Sequence, residues 1–378
     1  MTKRSSTLVA CLIAAALALL YVPVGESAAR PNDFAFYWTA ARLVLNAENP
    51  YSPGETVDLQ NRLSFAGKGR LVMLNPPWVL PFIAPFGLLS FSTAKSLWLL
   101  IGLTLMFVSV HWLWDLYGTA EHRWIGWLVA GTFLPVAVVL AIGQIGPLIL
   151  FGIAGYLRFE ARRDDYVAGT FLFLAALKPH LVFLVWIALL LCALYQRRWK
   201  PIAAFLGTLA IASFLAVLLD HQVFYQYAGL LGAERVVLQE TPTLGGLLRH
   251  ISGFPPMQFL PIGIAILWFV FYWLRWRSSW VWQYRLPSLL LVSVAATSYA
   301  WFFDQVILLP GVLYATVLAL RSPRHIRLVT VILYLTINCS VLFLLLNHKT
   351  TFSYSWTALA WLVLFGLLQR GAVLSRTF

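Results

Sequence analysis

Apolar stretches recur along almost the whole chain, many of them long enough, alone or with their neighbours, to cross a bilayer. A hydrocarbon core about 30 Å thick needs roughly 20 apolar residues per helix. Only helices and closed barrels satisfy their backbone polar groups inside lipid. The alternating segments of about ten residues that barrel strands show are absent, so the pattern predicts an all-α polytopic membrane protein. Composition agrees: charged residues are 11% of the 378, against about 25% in soluble domains.

Helices are expected at about 7–24, 94–115, 124–141, 145–159, 167–177, 181–195, 201–219, 258–274, 286–300, 305–320, 328–346 and 354–369, giving twelve crossings in one integral membrane domain, 1–378. Several of these runs are shorter than about 17 residues, so they extend into their flanks or belong to broken helices. Lys3 and Arg4 precede the first run and set the N-terminus inside. Seventeen of the 27 basic residues and five of the 14 acidic ones then lie inside, which puts about +12 of the +13 net charge there. This excess records orientation and is no nucleic-acid footprint. Both termini are expected in the cytoplasm. Residues 1–29 also resemble a signal peptide, with small residues at Ser27–Ala29; an uncleaved first helix is preferred. Cys11, Cys192 and Cys339 are far apart and form neither a metal motif nor a disulfide framework.

Two outside segments are long, 25–93 and 220–257, and the other outside turns are very short. In the first loop, Phe34, Tyr37, Ala41 and Val44 recur at helical spacing, predicting an amphipathic helix at the membrane surface. Asp33 at its start is either an N-cap or a general base at the rim of a membrane-facing cavity. The stretch LNPPWVLPFIAPFGLLSF at 74–91 carries Pro76, Pro77, Pro81 and Pro85 and reads as re-entrant or interfacial, because broken backbone at membrane depth needs protein or a cavity beside it. The tight turns GQIGP (143–147) and LKPHL (177–181) hold Gln144, Lys178 and His180 near the surface. Lys178 is either a phosphate ligand or a snorkelling helix-end lysine. In the second loop Glu234, Arg235, Gln239, Glu240, Arg249 and His250 accompany Phe224, Tyr225 and Tyr227, the mix of flat rings and polar groups that sugar sites use. Asp304 stands between apolar runs, where an acid is costly unless paired or wetted. His348 and Lys349 supply another candidate phosphate clamp.

One external acid, several external cations and a proline-broken apolar segment suit glycosyl transfer from a lipid-phosphate sugar. A carboxylate takes the acceptor proton, and cations or donors stabilise the leaving phosphate. Single displacement inverts the anomeric centre. No P-loop or dinucleotide fingerprint is present. A transporter or flippase is the rival; it should show repeat symmetry and polar residues at mid-membrane, whereas these polar residues gather at one face.

Together NDFAFYWTAARLVLNAENPYSP, LNPPWVLPFIAPFGLLSF, GQIGPLIL, LKPHLVF and SYAWFFDQVILLP resemble glycosyltransferase family 87 (the DUF2029 group), which includes mycobacterial polyprenol-phosphate-mannose-dependent mannosyltransferases. The resemblance spans about 30–320. It implies a GT-C-type fold, a periplasmic active site, and an inverting transfer of a hexose or pentose, mannose-like favoured, from a polyprenyl-phosphate sugar to a glycolipid or glycan hydroxyl. It places the catalytic aspartate at Asp33, the lysine-proline turn at Lys178 and Pro179, and a later aspartate near aromatics at Asp304. Where a glutamine often follows that proline, this chain has His180. Donor phosphate or sugar is then expected on Lys178, His180, Gln144, Arg249, Asp304, His348 and Lys349. Acceptor or sugar contacts are expected from Asn32, Tyr37, Arg42, Gln239 and Glu240. Related families often carry two adjacent acids in the first loop; here Asn32 stands beside Asp33, which favours metal-independent transfer.

Overall fold

A computed structural model describes residues 33–62, 72–234 and 239–374, and every regular element among them is helical. In chain order the α-helices are α1 (Phe34–Leu45), α2 (Pro53–Arg62), α3 (Leu80–Gly87), α4 (Phe91–Tyr117), α5 (Arg123–Thr132), α6 (Leu134–Ile142), α7 (Gly146–Ala161), α8 (Asp165–Leu172) and α9 (Phe183–Gln196). They continue as α10 (Lys200–Leu219), α11 (Val223–Glu234), α12 (Leu244–Ser252), α13 (Leu260–Trp276), α14 (Trp282–Ala296), α15 (Leu309–Leu320), α16 (Arg324–Leu346) and α17 (Thr357–Leu374). Short 3-10 turns lead into several of them, with proline in the first turn, where its missing N–H has no helical partner to lose.

The expected twelve crossings are not reached. Seven helical segments among the described residues are long and apolar enough to span, or eight if the bent pair α5–α6 is one span. The run expected at 124–141 is that pair, bent by 57° where Phe133 leaves helical geometry ahead of Pro135 at the start of α6. The runs at 145–159, 167–177 and 286–300 do form helices, but short ones. The 16 residues of α7 rise about 24 Å and the 15 of α14 about 22 Å at 1.5 Å per residue, less than the hydrocarbon core. Their flanks stop them: the Gly143 turn ahead of α7, and the Ser298–Trp301 segment after α14. Both are buried by neighbouring helices along most of their length, so they are internal pillars. The first expected helix, 7–24, lies outside the described residues, as does Asn32.

The first-loop helix forms where its periodicity predicts, but it does not lie on the surface. Both faces of α1 are covered, with Ala35, Trp38 and Thr39 buried alongside Phe34 and Tyr37. The reason is α3, the proline-rich stretch, which packs directly against α1. Gly87 allows this: a Cβ there would lie 2.8 Å from the carbonyl carbon and oxygen of Ala41. Phe34 also meets Trp98 of α4, with ring centroids 5.4 Å apart. Residues 77–87 are thus a short apolar helix inside the protein rather than a crossing.

At the end of α6, Gly143 takes the left-handed conformation (φ 74°), which a residue without a Cβ adopts cheaply. Its carbonyl accepts a 2.9 Å hydrogen bond from Trp98 Nε1. This pins the α6–α7 turn to α4 and aims the next side chain, Gln144, inward. The other end of the bundle carries its own ion pairs: Arg123 on Asp115 at 2.5 Å, and Arg198 between Glu160 and Asp165.

Candidate active site

Four segments distant in sequence meet at one end of the bundle, around a cavity of about 620 Å³. Asp33 comes from the start of α1, Gln144 from the Gly143 turn, Lys178 from the break before α9, and Asp304 from the 3-10 turn ahead of α15. Gln144 Nε2 donates to Asp33 Oδ2 at 2.7 Å. Gln144 Oε1 accepts from Lys178 Nζ at 3.2 Å and from the Tyr37 hydroxyl at 3.0 Å. Lys178 Nζ pairs with Asp304 Oδ1 at 2.6 Å and lies 5.0 Å from the centre of the Phe303 ring. Asp304 Oδ2 accepts the Trp301 backbone N–H at 2.9 Å. The two donors on Oε1 fix the Gln144 amide, so its NH2 must face Asp33.

Asp33 makes no capping hydrogen bond to α1; its side chain turns to Gln144 instead. Among the described residues its other oxygen, Oδ1, has no partner. Burial holds the Asp33 carboxyl above the ordinary carboxylate range, while the Gln144 bond and the Lys178 charge pull it down and the Asp304 charge adds to the rise. Its neighbour across the cavity, Tyr299, is also pushed up by burial; it stays a neutral hydroxyl, accepting from Trp301 Nε1 at 3.3 Å.

The expected residues divide by position. Asp33, Gln144, Lys178, His180, Gln239 and Lys349 line the cavity. His180 stands edge-on to Tyr299, ring centroids 5.5 Å apart, and its buried Nε2 has no hydrogen-bond partner. Asp304 is 1% exposed and sits behind Lys178. Tyr37 sits behind Gln144. Arg249 holds the backbone carbonyl of Gln239 (3.0 Å) and the side chain of Gln258 (3.1 Å), and so shapes the wall without lining it. Arg42 donates to the Gly87 carbonyl at 2.9 Å and lies over Trp38, tying α1 to α3. His348 is exposed beside the mouth. Glu240 is exposed and 3.9 Å from His250.

Three neighbours were not singled out from the sequence. Asn75 lines the cavity and is 6% exposed; its Nδ2 donates to the Leu177 carbonyl (3.0 Å), and its own carbonyl accepts from Tyr51. An asparagine directly ahead of two prolines in an apolar stretch was the available signal. Tyr299 and Trp301 are further wall residues whose polar tips face each other; their place in SYAWFF was the only hint. Among the described residues no three His, Cys, Asp or Glu side chains converge to hold a metal ion.

The cavity therefore offers one carboxylate oxygen, a paired lysine, a second lysine at the mouth and several aromatic faces, with the His180 ring in its wall. In comparisons with known proteins, the profile of glycosyltransferase family 87 matches residues 74–304. No curated protein and no solved structure matches the chain.

Proposed function

The chain belongs to glycosyltransferase family 87, and from this we propose that its cavity moves one sugar from a polyprenyl-phosphate donor to a hydroxyl acceptor, with inversion at the anomeric carbon. Membership makes it a transferase and implies a lipid-linked sugar donor in a membrane setting. Its all-helical, multi-pass architecture is consistent with a GT-C-type fold.

The observation that carries the finer reading is the Gln144 bridge, which joins Asp33 and Lys178 in one cavity. Asp33 is the acid with an oxygen left for substrate. In the reaction the acceptor oxygen attacks C1 and the C1–O bond to phosphate breaks. The electron pair leaves as lipid phosphate, and the acceptor proton passes to Asp33 Oδ1. A carboxylate held above its usual range is a better base for this proton. The growing negative charge on the phosphate is met by the remaining Lys178 N–H and by Lys349, with the His180 ring beside them. Asp304 holds Lys178 in place through the 2.6 Å contact, so it acts through the lysine. Sugar hydroxyls face Gln239, Tyr299 and Trp301.

The arginines gathered at the opposite end of the bundle, Arg321, Arg324 and Arg327 among them, support an outward-facing cavity on the periplasmic side of a bacterial inner membrane. The sugar favoured is mannose-like and the acceptor a glycolipid or glycan. The test is purified protein in detergent with a panel of polyprenyl-phosphate sugars and membrane-lipid acceptors. Release of lipid phosphate that falls about 10²- to 10⁴-fold in Asp33→Asn, with the variant still monodisperse, is expected. Near wild-type turnover in that variant removes Asp33 from the mechanism, and no release with any donor favours a transporter.

A further inference from the structure

A second cavity lies away from the candidate active site. It is a crevice of about 380 Å³ between α5, α14, α15, α16 and α17. Its walls are Leu, Ile, Val, Ala, Trp and Phe side chains, with four hydroxyls among them. Each of the four is already taken by a helix carbonyl: Thr132 by Leu128, Thr316 by Val312, Thr330 by Ile326 and Tyr334 by Val129, at 2.7 to 2.9 Å. Each has given its only proton, and apart from the Trp361 indole N–H and Arg327 the lining is apolar. A cavity this poor in polar partners takes hydrocarbon more readily than water.

Its position sets it apart from the catalytic end. On α16 the lining runs from Arg327 to Leu335, about 12 Å at 1.5 Å per residue. The same helix reaches the active cavity only at Leu345, about 27 Å from Arg327 by the same rise. The crevice thus opens at the opposite end of the bundle, and donor phosphate at Lys178 cannot be its head group.

The mouth is strongly basic. Arg327 Nη2 reaches the carbonyls of Leu320 (2.9 Å) and Ser322 (3.4 Å), on either side of Arg321, and Arg324 stands one turn earlier on α16. Arg321 in turn donates to the Tyr117 carbonyl at 3.2 Å. Carbonyls leave a guanidinium charge unneutralised. Among the described residues none of the three arginines forms an ion pair with a carboxylate. The sequence contains no Asp or Glu after Asp304. Trp124, also in the lining, supplies the amphipathic ring common at membrane interfaces.

We infer that this crevice binds an anionic phospholipid of the bilayer, with one acyl chain between α16 and the bundle and the phosphate on Arg321, Arg324 and Arg327. Guanidinium groups match phosphate oxygens with paired hydrogen bonds, and basic pockets between membrane helices favour anionic head groups. The site also explains how α16 is held. Only Ile337, Asn338 and Val341 of its 23 residues are buried, so the lipid chain completes packing that the protein leaves open. The far end of that helix leads to Lys349 at the active cavity mouth.

Native mass spectrometry of the full chain in detergent tests this, with titrated dioleoyl phosphatidylglycerol or dioleoyl phosphatidylcholine. Wild type should retain the anionic lipid about 10- to 100-fold more strongly, as three arginines near a charged head group imply. Arg321→Gln/Arg324→Gln/Arg327→Gln together should abolish that preference. Val331→Trp fills the crevice from its exposed side and should lower phosphatidylglycerol retention with the arginines intact. Monodisperse elution shows that each variant is folded. Equal retention of the two lipids by wild type overturns the inference, as does an undiminished preference in the triple variant or unchanged binding in Val331→Trp. Displacement of phosphatidylglycerol by polyprenyl phosphate would assign the crevice to the donor lipid and also overturn it.

Discussion

Replacing Gln144 by Met keeps the side-chain length and removes both amide functions, so it isolates what the bridge does for Asp33. The 2.7 Å bond from Gln144 Nε2 ends on a carboxylate, and such charged bonds are worth about 1.5–3 kcal/mol. The sign follows from the physical causes. Burial raises the Asp33 carboxyl and the Gln144 bond lowers it, so loss of the bond raises it further. A base works only when ionised, so the acid limb of kcat/KM moves to higher pH. On that limb the ionised fraction, and with it the rate, falls at least about tenfold, since 1.4 kcal/mol is a factor of ten. Above the limb the rate climbs back towards wild type. The assay is lipid-phosphate release across pH at limiting donor, a profile that reports the free enzyme. The buried Tyr37 hydroxyl also loses its acceptor, a stability cost of about 1–3 kcal/mol, so rates are measured well below the thermal midpoint. A loss of equal size at every pH, or a limb that stays in place, refutes the idea that Gln144 tunes Asp33.

Asp304→Ala leaves Lys178 buried without its partner, and should lower stability by about 3–5 kcal/mol as well as activity. The double variant Lys178→Met/Asp304→Leu should regain most of that stability and remain inactive; thermal midpoints and turnover measured together check both, and a double variant as unstable as the single one contradicts the pairing. Gly87→Ala forces α1 and α3 apart at the 2.8 Å approach to Ala41, costing about 1–3 kcal/mol and reducing transfer because α1 carries Asp33. Unchanged melting and turnover would show that the two helices separate freely.

Much of the architecture was legible in hydrophobic runs, because lipid and protein interior select the same side chains. That equivalence is also why the span count failed. Pillars such as α7 and α14 are as apolar as true crossings, and only tertiary packing shows that protein covers them. The periodicity of α1 was readable, but not the approach of α3, which depends on one glycine. At the site, Gln144, Lys178, His180 and Asp304 stood out because polar residues in short turns between apolar runs are rare, and Asp33 because it opens an apolar helical pattern at the membrane surface. Their pairing was not readable: Gln144 and Asp33 are 111 positions apart, and Lys178 and Asp304 are 126 apart. Arg42 and Tyr37 looked equally polar, yet they serve the Gly87 carbonyl and Gln144 from behind.

The burial of α14 bears on how the molecule is made. It is enclosed by α9, α13, α15 and α17, and two of those four are synthesised after it. A helix this short gains little from lipid alone, and its packing is complete only once α15 and α17 have been made. Asp304 follows it directly. The lysine–aspartate pair is therefore among the last contacts to close during biogenesis, and chains cut short before α17 would carry the acid and the base without the geometry that couples them.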